Sequence, residues 1–252
     1  MTDTSAQGTD TMMTARRPLR LVIICLMLAM MVTSCGHKSV SSAPTNITEA
    51  PTAASTPGSR PLPLDPARTA LLVMDEEQFV IGMVGRAAQA TVAHTAAAEH
   101  TSRQAGVSVV FVSTSFAPGY PEISPNNKTF AGIAGTGRLI QGSAETRLDP
   151  RIAPVGDEPV IVKHQVGAFS APPLEQLLRA KNIDTLVLAG LFTRGVVLST
   201  AEAAADLNYR LIVLSDCVAD PDAEVNRVLL DKVLPTEADV IDSAQYARTL
   251  NP

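Results

Sequence analysis

The sequence predicts a three-layer α/β/α sandwich, doubly wound about a mostly parallel six-stranded sheet. From about residue 66 onward, short runs rich in Val, Ile and Leu alternate with longer stretches of helical pattern. The short runs are nearly continuous in hydrophobicity rather than alternating, as strands buried on both faces by helices require. With right-handed crossovers, a strand-helix alternation of this kind closes into such a sandwich.

The first strand is predicted over residues 69–75 and leads to a helical pattern over 86–104 that ends at Gly106. A second strand over 107–113 is followed by a long insertion and then by a third strand over 159–163. Pro172-Pro173 suits the start of a helix over 172–181, with Asn182 at its end. Strand 185–190, helix 196–207 closed by Asn208, strand 210–215, helix 223–233 and a short strand 238–241 complete the order. Helix ends are marked by Gly and Asn because these residues accept the left-handed conformation that terminates a helix.

The amino-terminal part reads differently. Arg16-Arg17-Pro18-Leu19-Arg20 precede an unbroken apolar run over 21–32, and Thr33-Ser34-Cys35 follow. This is the order of a signal peptide over residues 1–34: charged region, apolar region, small-residue cleavage zone. The run is too short for a bilayer-spanning helix, which needs about 20 residues. Val32-Thr33-Ser34-Cys35 resembles a bacterial lipobox, so Cys35 is the expected lipidation site and the protein an exported one, anchored on the extracytoplasmic face of a membrane. Residues 35–65 are rich in Ser, Thr, Ala and Pro and read as a flexible linker, leaving 66–252 as the folded domain. Cys25 falls in the removed segment, so Cys217 is the one thiol of the mature domain and no intramolecular disulfide is expected.

Composition excludes one large class of partner. A net charge of −5 and 4% aromatic residues supply neither the basic surface nor the stacking platforms that nucleic-acid binding uses.

In doubly wound sheets ligands bind beyond the carboxyl ends of the strands. Asp75 ends the first strand and Lys163 the third. Alone, the first reads as a cap or loop carboxylate and the second as a snorkelling surface lysine. Together in one crevice, the lysine would keep the carboxylate ionised and oriented for acid/base work. The stretch from Gly190 through Leu191, Phe192, Thr193 and Gly195 turns from a buried strand into a helix whose first N–H groups can receive an oxyanion or carboxylate. Thr193, Ser199 and Thr200 carry hydroxyls there, but no histidine is placed in sequence to activate them, so capping is the plainer reading. Cys217 reads as a small packed residue.

Leu71-Leu72-Val73-Met74-Asp75, then Gly142, Glu145 and Pro150, then Val162-Lys163 with Ala168-Phe169, then the turn from Gly190 to Thr200 with Ala204, Asp206 and Tyr209, appear in an order that resembles the isochorismatase-like, or cysteine hydrolase, family. The resemblance covers about residues 68–242 and implies its Rossmann-type sandwich. It matches Asp75 and Lys163 to two members of the family's Asp-Lys-Cys triad and places the nucleophile on Val196, which cannot attack. It also implies a cis peptide at Leu191-Phe192, with the N–H groups of Phe192 and Val196 as oxyanion donors. Glu77 stands where a Gln is usual, and Asn226 where a His is frequent. The metal-ligand set of the family's zinc-binding branch has no counterpart after Phe79, so neither metal nor cofactor is implied. Phe79, Phe116 and Phe169 are the candidate pocket residues.

Two functions follow as expectations. One is a hydrolase of a small amide, imide or vinyl ether that uses Asp75 without a cysteine, as the family's vinyl-ether-cleaving members do. The other is a catalytically silent small-ligand-binding lipoprotein on the same scaffold. A cysteine amidase using Cys217 would need that side chain to reach the turn after Gly190. The insertion over 116–142 is expected to cover the crevice, and homo-oligomers are frequent in the family.

Overall fold

A computed structural model describes residues 63–250. The predicted signal peptide, Cys35 and nearly all of the linker lie outside the described residues.

The domain is the predicted sandwich. Strands β1 (Thr69–Met74), β2 (Ser108–Thr114), β3 (Val160–Lys163), β4 (Thr185–Leu191), β5 (Arg210–Ala219) and β6 (Asp239–Ile241) form one sheet in the order β3-β2-β1-β4-β5-β6. Every neighbouring pair is parallel. The strand order reverses between β1 and β4, and ligand crevices open at such a switch point.

The near-continuous hydrophobicity has a direct cause. Along β1, Leu71 and Val73 pack into one apolar layer while Ala70, Leu72 and Met74 pack into the other. The first layer lies beneath helices α1 (Gln78–Val84), α2 (Arg86–Ala105) and the carboxyl-terminal helix, through Val80, Ile81, Ala88, Val92 and Tyr246. The second lies beneath α4 (Pro172–Ala180) and α5 (Leu198–Asp206), through Leu174, Leu178, Ala201 and Ala204. β1 and β4 are buried along their whole length. The prediction of two-faced burial fails for β3, an edge strand whose Val160 and Val162 are exposed. With a helix layer on one side of it only, an edge strand does not need both faces apolar.

Gly106, Asn182 and Asn208 all take positive φ, as expected of residues closing helices. Two helices of seven or more residues escape the sequence reading. α1 has only seven residues before Gly85 stops it, too few for a clear 3.6-residue period, and a carboxyl-terminal helix runs over Ser243–Leu250. The helix expected from residue 196 begins as a wide π-helical turn over Thr193–Val197. The one expected over 223–233 is α-helical as α6 (Ala223–Val228) and π-helical beyond it.

Gly190 is required by a close approach. A Cβ there would lie 2.2 Å from the carbonyl oxygen of Met74 on the paired strand, and its φ is +144°. The insertion forms a lid with its own small core of Phe116, Tyr120, Phe130 and Leu139, and contains the short helix α3 (Lys128–Ala131). Backbone bonds of 2.9 Å from Phe116 to Leu139 and from Gln141 to Phe116 tie its two ends together.

Candidate active site

Asp75 leaves β1 with φ +54°, a left-handed conformation that Asp tolerates better than most residues. Its N–H still bonds to Val112 on β2 at 2.8 Å, so the turn begins while the strand is held. Lys163 pairs in register with Thr114 at the end of β2. Three adjacent strand ends thereby bring Asp75, Thr114 and Lys163 together. Lys163 donates to Asp75 Oδ2 at 2.7 Å, to Thr114 Oγ1 at 2.7 Å and to the carbonyl of Gln165 at 3.2 Å, which uses all three ammonium protons. Thr114 Oγ1 donates to Asp75 Oδ1 at 2.9 Å.

The lysine is 1% exposed. Burial pushes the Asp75 carboxyl above its ordinary range, and the Lys163 charge together with hydrogen bonds from Lys163 and Thr114 opposes that push. Desolvation is the larger influence, and the pairing with Lys163 opposes it. Glu77 sits behind the pair, fully buried. Its Oε1 accepts from the Thr114 N–H, and its Oε2 has no partner. Burial, reinforced by the Asp75 charge, raises the Glu77 carboxyl well above the usual range. Two buried carboxylates share one lysine, so the site favours keeping a proton.

Beside this pair lies a cavity of 160 Å³. Asp75, Thr114 and Lys163 line its polar end. Leu191, Phe192, Gly195 and Val196 contribute the β4 turn, and the Leu191-Phe192 peptide is cis as the resemblance implied. Phe79, Val80 and Met83 come from α1 and its approach; Thr129, Phe130, Ile133 and Leu139 come from the lid. A larger, open groove of 1020 Å³ lies outside Phe79 and Met83 but reaches none of Asp75, Thr114 or Lys163. The smaller cavity is the one that holds the charged pair.

Of the residues singled out from sequence, Asp75, Lys163, Val196, Leu191, Phe192, Gly195 and Phe79 meet at this cavity. Thr193 is fully buried and its hydroxyl bonds to the Asn226 side chain instead. Phe116 is the centre of the lid core, beneath the cavity lining rather than in it. Phe169 packs 5.9 Å from the Tyr209 ring, against the second apolar layer. Thr200 accepts from the Ala168 N–H at 3.0 Å, a structural bond. Cys217 is buried in the apolar layer beneath α2, whereas Val196 belongs to the layer beneath α5. Burial, followed by the neighbouring Asp216 and Glu76 charges, pushes its thiol far above the ordinary range, the reverse of an activated nucleophile. Thr114 was missed because the sequence reading ended the second strand one residue early. Only its register beside Lys163 shows what its hydroxyl bridges.

Comparison with known proteins bears on the family and the fold. Residues 69–245 match the isochorismatase domain family. The maleamate amidohydrolase of Pseudomonas putida is 31% identical over 115 residues, which are 44% of this chain and 54% of that protein. A ureidoacrylate amidohydrolase of Methylobacterium radiotolerans is 29% identical over 177 residues, 62% of this chain and 69% of that protein. The chain thus spans about half to two thirds of the curated relatives it matches. Among solved structures, an isochorismatase family protein from Burkholderia thailandensis superposes with a TM-score of 0.65 at 25% identity, covering 76% of this chain and all of that one. A cysteine hydrolase from Pseudomonas syringae pv. phaseolicola superposes at 0.69 with 21% identity, covering 77% and 99%, and supports the shared fold.

Proposed function

The chain belongs to the isochorismatase family, and from that premise we propose that it hydrolyses a small amide, imide or vinyl ether without a cysteine nucleophile. Asp75 is the acid/base, Lys163 orients it, and Val196 occupies the nucleophile position. The observation that carries this reading is the Asp75 carboxyl held at the cavity between Lys163 and Thr114, at 2.7 and 2.9 Å, in surroundings that favour its protonated form. A protonated Asp75 donates to the leaving group, a water molecule supplies the new oxygen, and the water's proton restores the acid. The N–H groups of Phe192 and Val196, whose residues border the cavity, are assigned to the developing oxyanion. Hydrolysis of a panel of amides, imides and vinyl ethers, with Asp75→Ala in parallel, tests this. Turnover abolished by Asp75→Ala supports it, and equal turnover in the variant rejects it.

A second reading is a silent ligand-binding protein, favoured by Val196 itself, an inert side chain 2% exposed at the cavity wall. No turnover, with a ligand still raising the melting temperature, would select it.

The same proposal places the protein outside the cytoplasm on a lipid anchor at Cys35, supported by the order of charge, apolar run and lipobox in residues 1–35. Incorporation of labelled palmitate that disappears in Cys35→Ser, together with loss from the membrane fraction, is the expected result.

A further inference from the structure

We propose that Thr114 is a positioning residue for Asp75: its hydroxyl, itself held by Lys163, fixes one oxygen of that carboxyl and so directs the proton the acid carries. This rests on reading Asp75 as the acid/base of the cavity. The contacts around the hydroxyl leave it one arrangement. Lys163 Nζ donates to Thr114 Oγ1 at 2.7 Å, and Oγ1 donates to Asp75 Oδ1 at 2.9 Å. A hydroxyl has a single proton, and with Lys163 occupying a lone pair of Oγ1 that proton is committed to Asp75. The other carboxyl oxygen, Oδ2, accepts from the same ammonium at 2.7 Å. A proton on the oxygen that the ammonium contacts is disfavoured by its charge, so the proton of the acid belongs on Oδ1, in the lone pair that Thr114 leaves open.

The fold holds this hydroxyl in place. Thr114 ends β2 in register with Lys163 on β3, and its N–H donates to the buried Glu77 carboxyl. Its backbone is thus fixed, and its branched Cβ restricts the side chain to few rotamers. Thr114 is buried and lines the cavity together with Asp75. The hydroxyls after β4 differ. Thr193 bonds to the Asn226 side chain and Thr200 accepts from the Ala168 N–H, and neither lines the cavity. Burial raises the Asp75 carboxyl, while the Lys163 charge and the bonds from Lys163 and Thr114 lower it. Without the hydroxyl, Asp75 would lose its fixed orientation and part of the stabilisation of its ionised form, so its titration should move to higher pH.

Thr114→Val removes the hydroxyl at nearly constant size, and Thr114→Ser keeps it. Carbon-13 titration of the aspartate carboxyls in the full chain, with the Asp75 signal identified by its loss in Asp75→Asn, reads the contact directly. The Asp75 transition is expected at higher pH in Thr114→Val than in the unsubstituted protein, and close to it in Thr114→Ser. Benzamide, succinimide and isochorismate serve as the amide, imide and vinyl-ether probes of turnover. With a probe that turns over, kcat is expected to fall about tenfold to a hundredfold in Thr114→Val while KM stays within about threefold. The alkaline limb of kcat should move to higher pH, and Thr114→Ser should recover most of the rate. A hydroxyl that only supports the fold would lower the melting temperature and move neither the titration nor the limb. Thr114→Cys, whose thiol is a weak donor, is the second variant should Thr114→Val not fold. An unmoved Asp75 transition in the folded variant, an unchanged kcat, or a Thr114→Ser as impaired as Thr114→Val would each overturn the proposal. A transition that moves and is restored by Ser, with no turnover of any of the three probes, would leave it standing and remove the hydrolase reading instead, so the two fail separately.

Discussion

Asp75 and Glu76 are successive residues at the carboxyl end of β1, both buried, and their surroundings are opposite in design. Asp75 meets a lysine, a threonine hydroxyl and a cavity. Glu76 turns beneath α2, where Thr95 donates to its Oε1 at 2.9 Å and its Oε2 has no partner. Its carboxyl is pushed up to about 8, by burial first and then by the Glu99 and Asp149 charges, against the Thr95 bond. Glu99 nearby is pushed up to about 7 by burial, with Arg103 opposing. The difference teaches that burial alone makes a carboxyl a stability element sensitive to pH. It takes a compensating cation and an accessible void to make one a chemical group.

Breaking the compensated side should have the largest effect. Lys163→Ala strands Asp75 and Glu77 without their cation, and removing one partner of a buried pair is expected to destabilise the domain by about 3–5 kcal/mol in urea unfolding. The double variant Asp75→Leu/Lys163→Met, which removes both charges, should lose much less. Equal losses in the two would mean that the pair is not what holds the strand ends.

The uncompensated side should show itself as a pH dependence. The folded protein holds a proton on Glu76 up to about pH 8, whereas the unfolded chain releases it near 4.5. Between those values the folded state binds more protons, so this contribution is complete below about pH 4.5 and is lost as pH rises through 8. Glu76→Gln should therefore flatten the fall in unfolding free energy between pH 5 and 8.5 by roughly 2–4 kcal/mol. An unchanged slope would falsify the assignment.

Glu77→Gln should act on the site rather than on the fold. The amide keeps the bond from Thr114 and cannot ionise, so folding at neutral pH should change by less than about 1 kcal/mol. Carbon-13 titration of Asp75→Asn should in turn show the Glu77 transition at lower pH, because the Asp75 charge that raises it is gone. The smallest effect is expected from Cys217→Ala. With its thiol held in the layer beneath α2, the change should leave turnover and ligand binding at the cavity intact. A large loss of activity would point to a thiol that reaches the turn after Gly190.

Much of this was legible in the chain. Strand positions followed from runs such as Leu71-Leu72-Val73, whose alternate members serve two apolar layers. Asp75 and Lys163 were legible as polar residues ending such runs, and Asn182 and Asn208 as helix ends. Phe116 and Phe169 were not placed, because an aromatic residue in an insertion or beside a helix start has the same local pattern whether it lines a cavity or supports one. Likewise nothing local distinguishes Asp75, Glu76 and Glu77 from three solvated acids.

The sequence by itself determined the order of layers, because hydrophobic periodicity and helix-ending residues act over short distances along the chain. It also determined that Asp75 and Lys163 stand at strand ends, and that Val196, in the turn after β4, carries no nucleophilic group. Only the tertiary structure decided that Thr114 joins that pair, that Glu77 shares its lysine, that Glu76 lies under α2 and that Cys217 lies in a different layer from Val196. Each of these depends on which strands become neighbours and on how much water is excluded between them, and both are set by contacts between residues far apart in the chain.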